Sequence, residues 1–162
     1  MKKFLSILLF AICSVVVFSQ PIPSDAESII NAYKNKEILI NSSRVKNIEF
    51  RNIGPTIMSG RVVAIEVNPQ DPTKFYVAYA SGGVWLTNNN GTSFESISDD
   101  WPTQNIGEIA MDWDKGILWV GTGENNSSRS SYSGIGILKT NADGSNWKNV
   151  GLNDSCLLYT SP

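Results

Sequence analysis

Two polar octapeptides constrain this chain more than anything else in it. Residues 87–94 read Thr-Asn-Asn-Asn-Gly-Thr-Ser-Phe, and residues 140–147 read Thr-Asn-Ala-Asp-Gly-Ser-Asn-Trp. Each places a threonine first (Thr87, Thr140), a glycine four positions on (Gly91, Gly144) and an aromatic seven on (Phe94, Trp147). Each follows a short apolar run, 84–86 or 135–138, and precedes another strand-like run. Glycine takes φ > 0 without strain, so a polar turn with glycine at one fixed place suits a hairpin. The aromatic is then expected to tuck under the turn between strands. One such turn in each of two strand groups predicts a modular all-β protein.

The flanking sequence divides into two sets of four strands. The first set is expected at 61–67, 75–80, 84–87 and 93–97, with Asn68-Pro69-Gln70-Asp71-Pro72 and Ser81-Gly82-Gly83 as turns. The second is expected at 108–113, 117–121, 135–140 and 146–150, with a tight turn at Asp114-Lys115-Gly116. Gly60-Arg61-Val62 and Gly107-Glu108-Ile109 read as matching places 47 positions apart, whereas Gly91 and Gly144 are 53 apart. The difference is an insertion, mostly residues 124–134. Four strands in about 40–50 residues is the period of a propeller blade.

Composition agrees with short strands and tight turns. Charged residues are 17% of the 162-residue chain, below the usual quarter. Net charge is −2, and loss of Lys2 and Lys3 with a cleaved leader makes it −4. No basic patch forms, so nucleic-acid binding lacks an electrostatic footing. Histidine is absent, which removes the commonest general base and metal ligand. Of the two cysteines, Cys13 lies in the leader, so neither a disulfide framework nor a cysteine-rich metal site is available. No metal or cofactor is expected.

Residues 1–19 read as a secretory signal peptide: Lys2-Lys3, an apolar run from Phe4 to Phe18, and small Ser19. The run is short for a membrane span, which needs about 20 residues. The expectation is therefore export with cleavage, to the periplasm, the cell surface or the medium, and no span thereafter. Residues 20–47 hold a helix and linker, the helix opened by Ser24-Asp25-Ala26-Glu27 at capping-box spacing and running to about Ile40. Residues 48–154 form the two blades. Residues 155–162 leave the repeat pattern and read as an atypical, artefactual tail, with a genuine short terminal strand as the alternative.

These residues carry a family resemblance. The two turns resemble degenerate copies of the Asp-box, or BNR, motif, Ser-x-Asp-x-Gly-x-Thr-Trp. Arg51-Asn52-Ile53-Gly54-Pro55, Ser59-Gly60-Arg61-Val62, Ala80-Ser81-Gly82-Gly83-Val84-Trp85 and Gly121-Thr122-Gly123-Glu124 add to the match. Over residues 50–152 the chain resembles bacterial secreted β-propellers related to the sortilin (Vps10) N-terminal domain, often labelled glycosyl-hydrolase-like. It departs at the motif's aspartate, which is Asn89 in the first copy and Ala142 in the second, with Asp143 one place late. Phe94 stands for the tryptophan of the first copy. The resemblance implies a β-propeller fragment of about two four-stranded blades, the N-terminal part of a longer ring, because two blades cannot close one.

Two function classes follow from the resemblance. One is a secreted propeller that binds protein, peptide or glycan ligands, and the other is a secreted glycoside hydrolase acting on polysaccharide. A glycosidase needs two carboxyl groups about 5–10 Å apart. Glu108, Asp112, Asp114, Glu124 and Asp99-Asp100 are the available acids, and no acid–base pair stands out among them. Arg61 and Glu108 are expected at the starts of innermost strands, either lining a ligand-binding channel mouth or paired as an ion pair between blades. The loop 124–134 offers Glu124, Arg129 and Tyr132: a carboxylate, a fork donor and a stacking ring suited to a carbohydrate or peptide. It reads equally as a solvated crossover. A Ca²⁺ site at Glu124 and Asn125 lacks a loop signature. Trp101, beside Pro102, is a candidate for ligand stacking or for burial between blades.

Overall fold

The computed structural model describes residues 25–48, 60–124 and 132–153. These residues are mostly β, with one helix and two four-stranded antiparallel sheets. The first sheet comprises β1 (Val62–Val67), β2 (Phe75–Tyr79), β3 (Gly83–Thr87) and β4 (Glu95–Ser96) in sequence order. The second comprises β5 (Ile106–Asp112), β6 (Ile117–Thr122), β7 (Ile137–Asn141) and β8 (Lys148–Gly151), again in order. All eight expected strands are present, within one to two residues at most of their ends.

The helix α1 (Ala26–Ser42) lies against the sheets through Ala26, Ile29, Ile30 and Tyr33, the i, i+3, i+4, i+7 stripe of an amphipathic helix. Its N-cap differs from the expected capping box. Asp25 caps it, its Oδ1 accepting the Ser28 N–H at 2.6 Å. That hydrogen bond holds the Asp25 carboxyl below its ordinary pKa. At the other end the Ser43 N–H donates to the Ile40 carbonyl. No helix among the described residues is long and apolar enough to cross a membrane.

The ladders show that the two sheets repeat each other. In the first, Val62 pairs with Tyr79, a bulge follows, and Ala64 pairs with Ala78. In the second, Ile106 pairs with Thr122, a bulge follows, and Glu108 pairs with Gly121. Val67, Phe75 and Thr87 stand in one row, as do Met111, Leu118 and Thr140. The two threonines that open the turns therefore occupy equivalent positions. This register corrects one expectation: the counterpart of Glu108 is Ala64, not Arg61. Apolar runs of this kind give no signal for a three-residue slip, whereas the bulge fixes the offset.

Packing follows from the same rows. The face of the first sheet that carries Ala64, Tyr76, Ala78, Val84 and Leu86 packs on the face of the second that carries Ile109, Met111, Leu118, Val120 and Leu138. Tyr76, Leu118, Val120 and Leu138 are fully buried there, each contributing roughly 1.5–3 kcal/mol by leaving water. The Tyr76 and Trp113 rings lie 5.4 Å apart across the seam. The other face of the first sheet presents Ile65 and Val67, 56% and 47% exposed, although their counterparts in the second sheet are Ile109 and Met111. The other face of the second sheet presents Trp119, whose counterpart is buried Tyr76. The contact is thus head to tail: the face that the first sheet turns to the seam is equivalent to the second sheet's opposite face.

Both octapeptides form the expected turns. Gly91 has φ 79° and Gly144 φ 81°. In the first turn Thr87 Oγ1 accepts the Asn89 and Gly91 N–H groups, and Asn89 Oδ1 accepts the Ser93 N–H at 2.9 Å. Asn89 thus bonds backbone as an aspartate would, and Phe94 packs edge-on against Phe75. The second turn is wired differently. Asp143 Oδ1 accepts the Ser145 N–H at 2.9 Å, and Thr140 Oγ1 donates to the Ser145 carbonyl. Trp147 packs edge-on against Tyr33 of α1, ring centroids 5.1 Å apart, rather than only between strands.

The second turn also pins the sheets together. Trp101 Nε1 donates to the Gly144 carbonyl at 2.9 Å, and the Tyr76 hydroxyl donates to the Ala142 carbonyl at 2.8 Å. Trp101 is buried at this seam, the second of the two readings open for it, and is not exposed for ligand stacking.

Candidate functional site

The chemistry gathers where β1 and β5 begin and β6 ends. Arg61 precedes β1, anchored by the Ala80 N–H on its carbonyl at 2.9 Å. The Ile106 N–H donates to the Ala80 carbonyl, tying the start of β5 to the end of β2. Beyond β6, Thr122 Oγ1 donates to the Gly136 carbonyl and accepts the Ile135 N–H, and the Gly123 N–H donates to the Asn105 carbonyl. These bonds fix the backbone that presents Glu124.

Glu124 is fully buried and forms an ion pair from Oε1 to Arg61 Nη2, joining the two sheets. The Arg61 side chain is 48% exposed. Glu124 Oε2 has no hydrogen-bond partner among the described residues. Burying a carboxylate is costly, and its compensation among the described residues is a guanidinium that still faces solvent. An ion pair between the sheets was expected for Arg61, with Glu108 as its partner; the carboxylate on Arg61 is that of Glu124. The functional and structural readings of Arg61 and Glu124 therefore concern one and the same pair.

Glu108, on β5, is half-buried and its Oε1 accepts the Ile109 N–H. It lies close enough to Glu66 of β1 for its charge to act there. Glu66 is pushed above its ordinary pKa, first by burial and then by the Glu108 carboxylate. Sequence reasoning missed Glu66. The signal was a carboxylate inside the apolar strand 62–67, at a position whose row otherwise holds Tyr76 and Leu86.

The remaining candidates fall elsewhere. Asp112 is taken up by Lys115, Nζ to Oδ2 at 2.8 Å, and that hydrogen bond holds its carboxyl below the ordinary value. Asp99, Asp100 and Asp114 are exposed, with Asp99 accepting from Ser96 Oγ. Tyr132 is 44% exposed, and its carbonyl accepts the Glu124 N–H at 3.0 Å, closing the base of the loop. Arg129 and Asn125 lie outside the described residues, as do the leader, residues 49–59 and the tail. The arrangement therefore unites Arg61 with Glu124, and Glu66 with Glu108. No family model matches the chain, and no curated protein matches it either.

Proposed function

We propose that the two sheets are consecutive blades of an Asp-box β-propeller resembling the sortilin N-terminal domain, and that the exported protein binds peptide, protein or glycan ligands. The head-to-tail contact supports the propeller, because that packing propagates from repeat to repeat. The binding reading rests chiefly on Arg61: a half-exposed guanidinium held by the buried Glu124 carboxylate. Such a fork is oriented before a ligand arrives, so its free N–H groups meet a carboxylate, carbonyl or hydroxyl without ordering cost. Tyr132, at the foot of the neighbouring loop, adds an exposed ring of the kind that stacks on sugars or peptide groups.

Glu66 and Glu108 favour a second reading, a glycoside hydrolase. Glu66 is pushed above its ordinary pKa by burial and by the Glu108 carboxylate, and two such carboxyl groups are what glycosidases use as acid and as base or nucleophile. Here Glu66 would be the acid and Glu108 the base or nucleophile. The two readings separate in one experiment. The protein is applied to arrays of immobilised peptides and glycans, and in parallel to soluble polysaccharides with reducing-sugar release as readout. Binding without hydrolysis, weakened at least tenfold by Arg61→Ala, supports the binding protein. Hydrolysis abolished by Glu66→Gln or Glu108→Gln replaces it with the enzyme.

A further inference from the structure

We infer, on the binding reading above, that the ligand met by Arg61 is an uncharged sugar chain, so that the inner edge takes neutral glycan rather than peptide or acidic polysaccharide. The charge of Arg61 is already answered by the fully buried Glu124. Past Arg61 the inner strands are acidic: β1 carries Glu66, β5 carries Glu108 and Asp112, and neither strand holds a lysine or arginine. Asp112 is answered by Lys115. Glu66 and Glu108 lie close enough together that the Glu108 charge, after burial, raises the Glu66 pKa. A carboxylate ligand would gain from Arg61 only what Glu124 has not taken, and would approach the inner strands against their charge. A cationic ligand would meet a guanidinium, which has five donors and no acceptor.

The edge instead matches groups that accept at Arg61 and donate to a carboxylate further on. A hydroxyl does both with one atom and rotates to suit, whereas a peptide main chain holds donor and acceptor in fixed alternation. Arg61 and Glu66 are five residues apart, roughly 16 Å along an extended strand, so the match needs a chain of hydroxyl-bearing units rather than one. Tyr132 completes it. Its carbonyl accepts the Glu124 N–H at 3.0 Å, which ties it to the residue that holds Arg61, and the residue is 44% exposed. A ring so placed offers an apolar surface to the C–H face of a sugar.

Affinity electrophoresis of the full chain tests this, in gels cast with a neutral glucan, mannan or galactan or with polygalacturonate, while acidic and basic peptides are titrated in parallel. The expected result is retardation by a neutral polysaccharide and none by polygalacturonate. A tenfold rise in salt should change it by less than about twofold, because an uncharged ligand offers nothing to screen. Tyr132→Ala should weaken it at least tenfold. Arg61→Lys should weaken it nearly as much as Arg61→Ala, since lysine keeps the charge without the fork. Far-UV circular dichroism checks folding. Arg61→Ala leaves the buried Glu124 without its counter-ion, so Tyr132→Ala and Arg61→Lys carry the test if that variant does not fold. Retardation by polygalacturonate that falls with salt overturns the inference, as does no retardation by any neutral polysaccharide. Peptide binding that needs Arg61 would then keep the binding reading and lose only the glycan. No Arg61-dependent binding of any probe loses both.

Discussion

Replacing Gly144 with alanine should cost far more than the same change at Gly91, although the two turns share a sequence pattern and a φ near 80°. An alanine in that left-handed conformation costs roughly 1–2 kcal/mol at either site. At Gly91 little else opposes it, because an added Cβ would meet the Phe94 ring at an ordinary 3.7 Å. At Gly144 it would lie 1.9 Å from the Ile97 carbonyl oxygen and 2.9 Å from its carbon. Backbone cannot swing aside like a side-chain tip, so the turn must retreat by roughly 1 Å, an overpacking cost of about 1–3 kcal/mol. The retreat also strains the hydrogen bonds from Trp101 and Tyr76 to this turn, each worth about 1 kcal/mol net. The expected losses are about 1–2 kcal/mol for Gly91→Ala and about 3–5 kcal/mol for Gly144→Ala, against a whole-domain stability of about 5–15 kcal/mol. Urea titration followed by tryptophan fluorescence measures both, and equal slopes confirm that the same unit unfolds. Equal losses, or the reverse order, would refute the docking of the second turn on the first sheet.

Two further predictions concern titration at the seam and at the inner strands. Burial first, and then the Asp143 charge, push the Tyr76 hydroxyl up to about 12. The folded state thus holds this proton more tightly than the unfolded chain, and stability present below pH 10 is lost as pH rises towards about 12. Tyr76→Phe should lower stability at pH 7 by about 1–2 kcal/mol through the unpaired Ala142 carbonyl, and should flatten the alkaline decline in denaturant titrations. A decline as steep as the parent's would assign it to other groups. Glu66 also has a raised pKa, so its ionisation opposes folding as pH climbs through the carboxylate range. Glu66→Gln should stabilise the protein at pH 7 by only about 0.5 kcal/mol, since the group is largely solvated, and the gain should vanish below about pH 4. A gain that persists at pH 3 would point to hydrogen bonding rather than charge.

The strands were legible because their signals are local. Period-two apolar runs, bracketed by glycine, proline and asparagine turns, located all eight, and the two glycines marked the places where φ is positive. What the sequence did not show depends on contacts between distant segments. The offset between the repeats is set by a bulge after Val62 and after Ile106, and no residue type announces it. The partner of Arg61 could not be read either, because Glu124 reaches it only after β6 has crossed the sheet. Glu66 was not singled out, although a carboxylate in an apolar row is the kind of local conflict that marks a functional or strained place. Trp101, among the loop residues Asp99, Asp100 and Pro102, was open to two readings, ligand stacking or burial between blades, and its indole closes the seam between the sheets.

The comparison of the two repeats also indicates where their chemistry can lie. Within a stack of sheets both faces of each sheet are committed to neighbours, so side chains there answer to packing. The rows across the sheets bear this out: threonine meets threonine at 87 and 140, and valine meets valine at 77 and 120. Charge diverges at Leu86 and Lys139 on the third strands, on the first strands and along one connection. Ala64 stands where Glu108 does, Glu66 where Ala110 does, and the short link from β2 to β3 becomes the long one from β6 to β7 that carries Glu124 and Tyr132. Positions freed from packing are those that can take on ligand chemistry without costing the fold. Each of these differences alters a charge, and all but the one on the third strands border the end of the sheets where Arg61 meets Glu124 or the inner strands that lead from it. A ligand site on this protein is therefore expected along the inner edge, with the turn side of the sheets left to hold the repeats together.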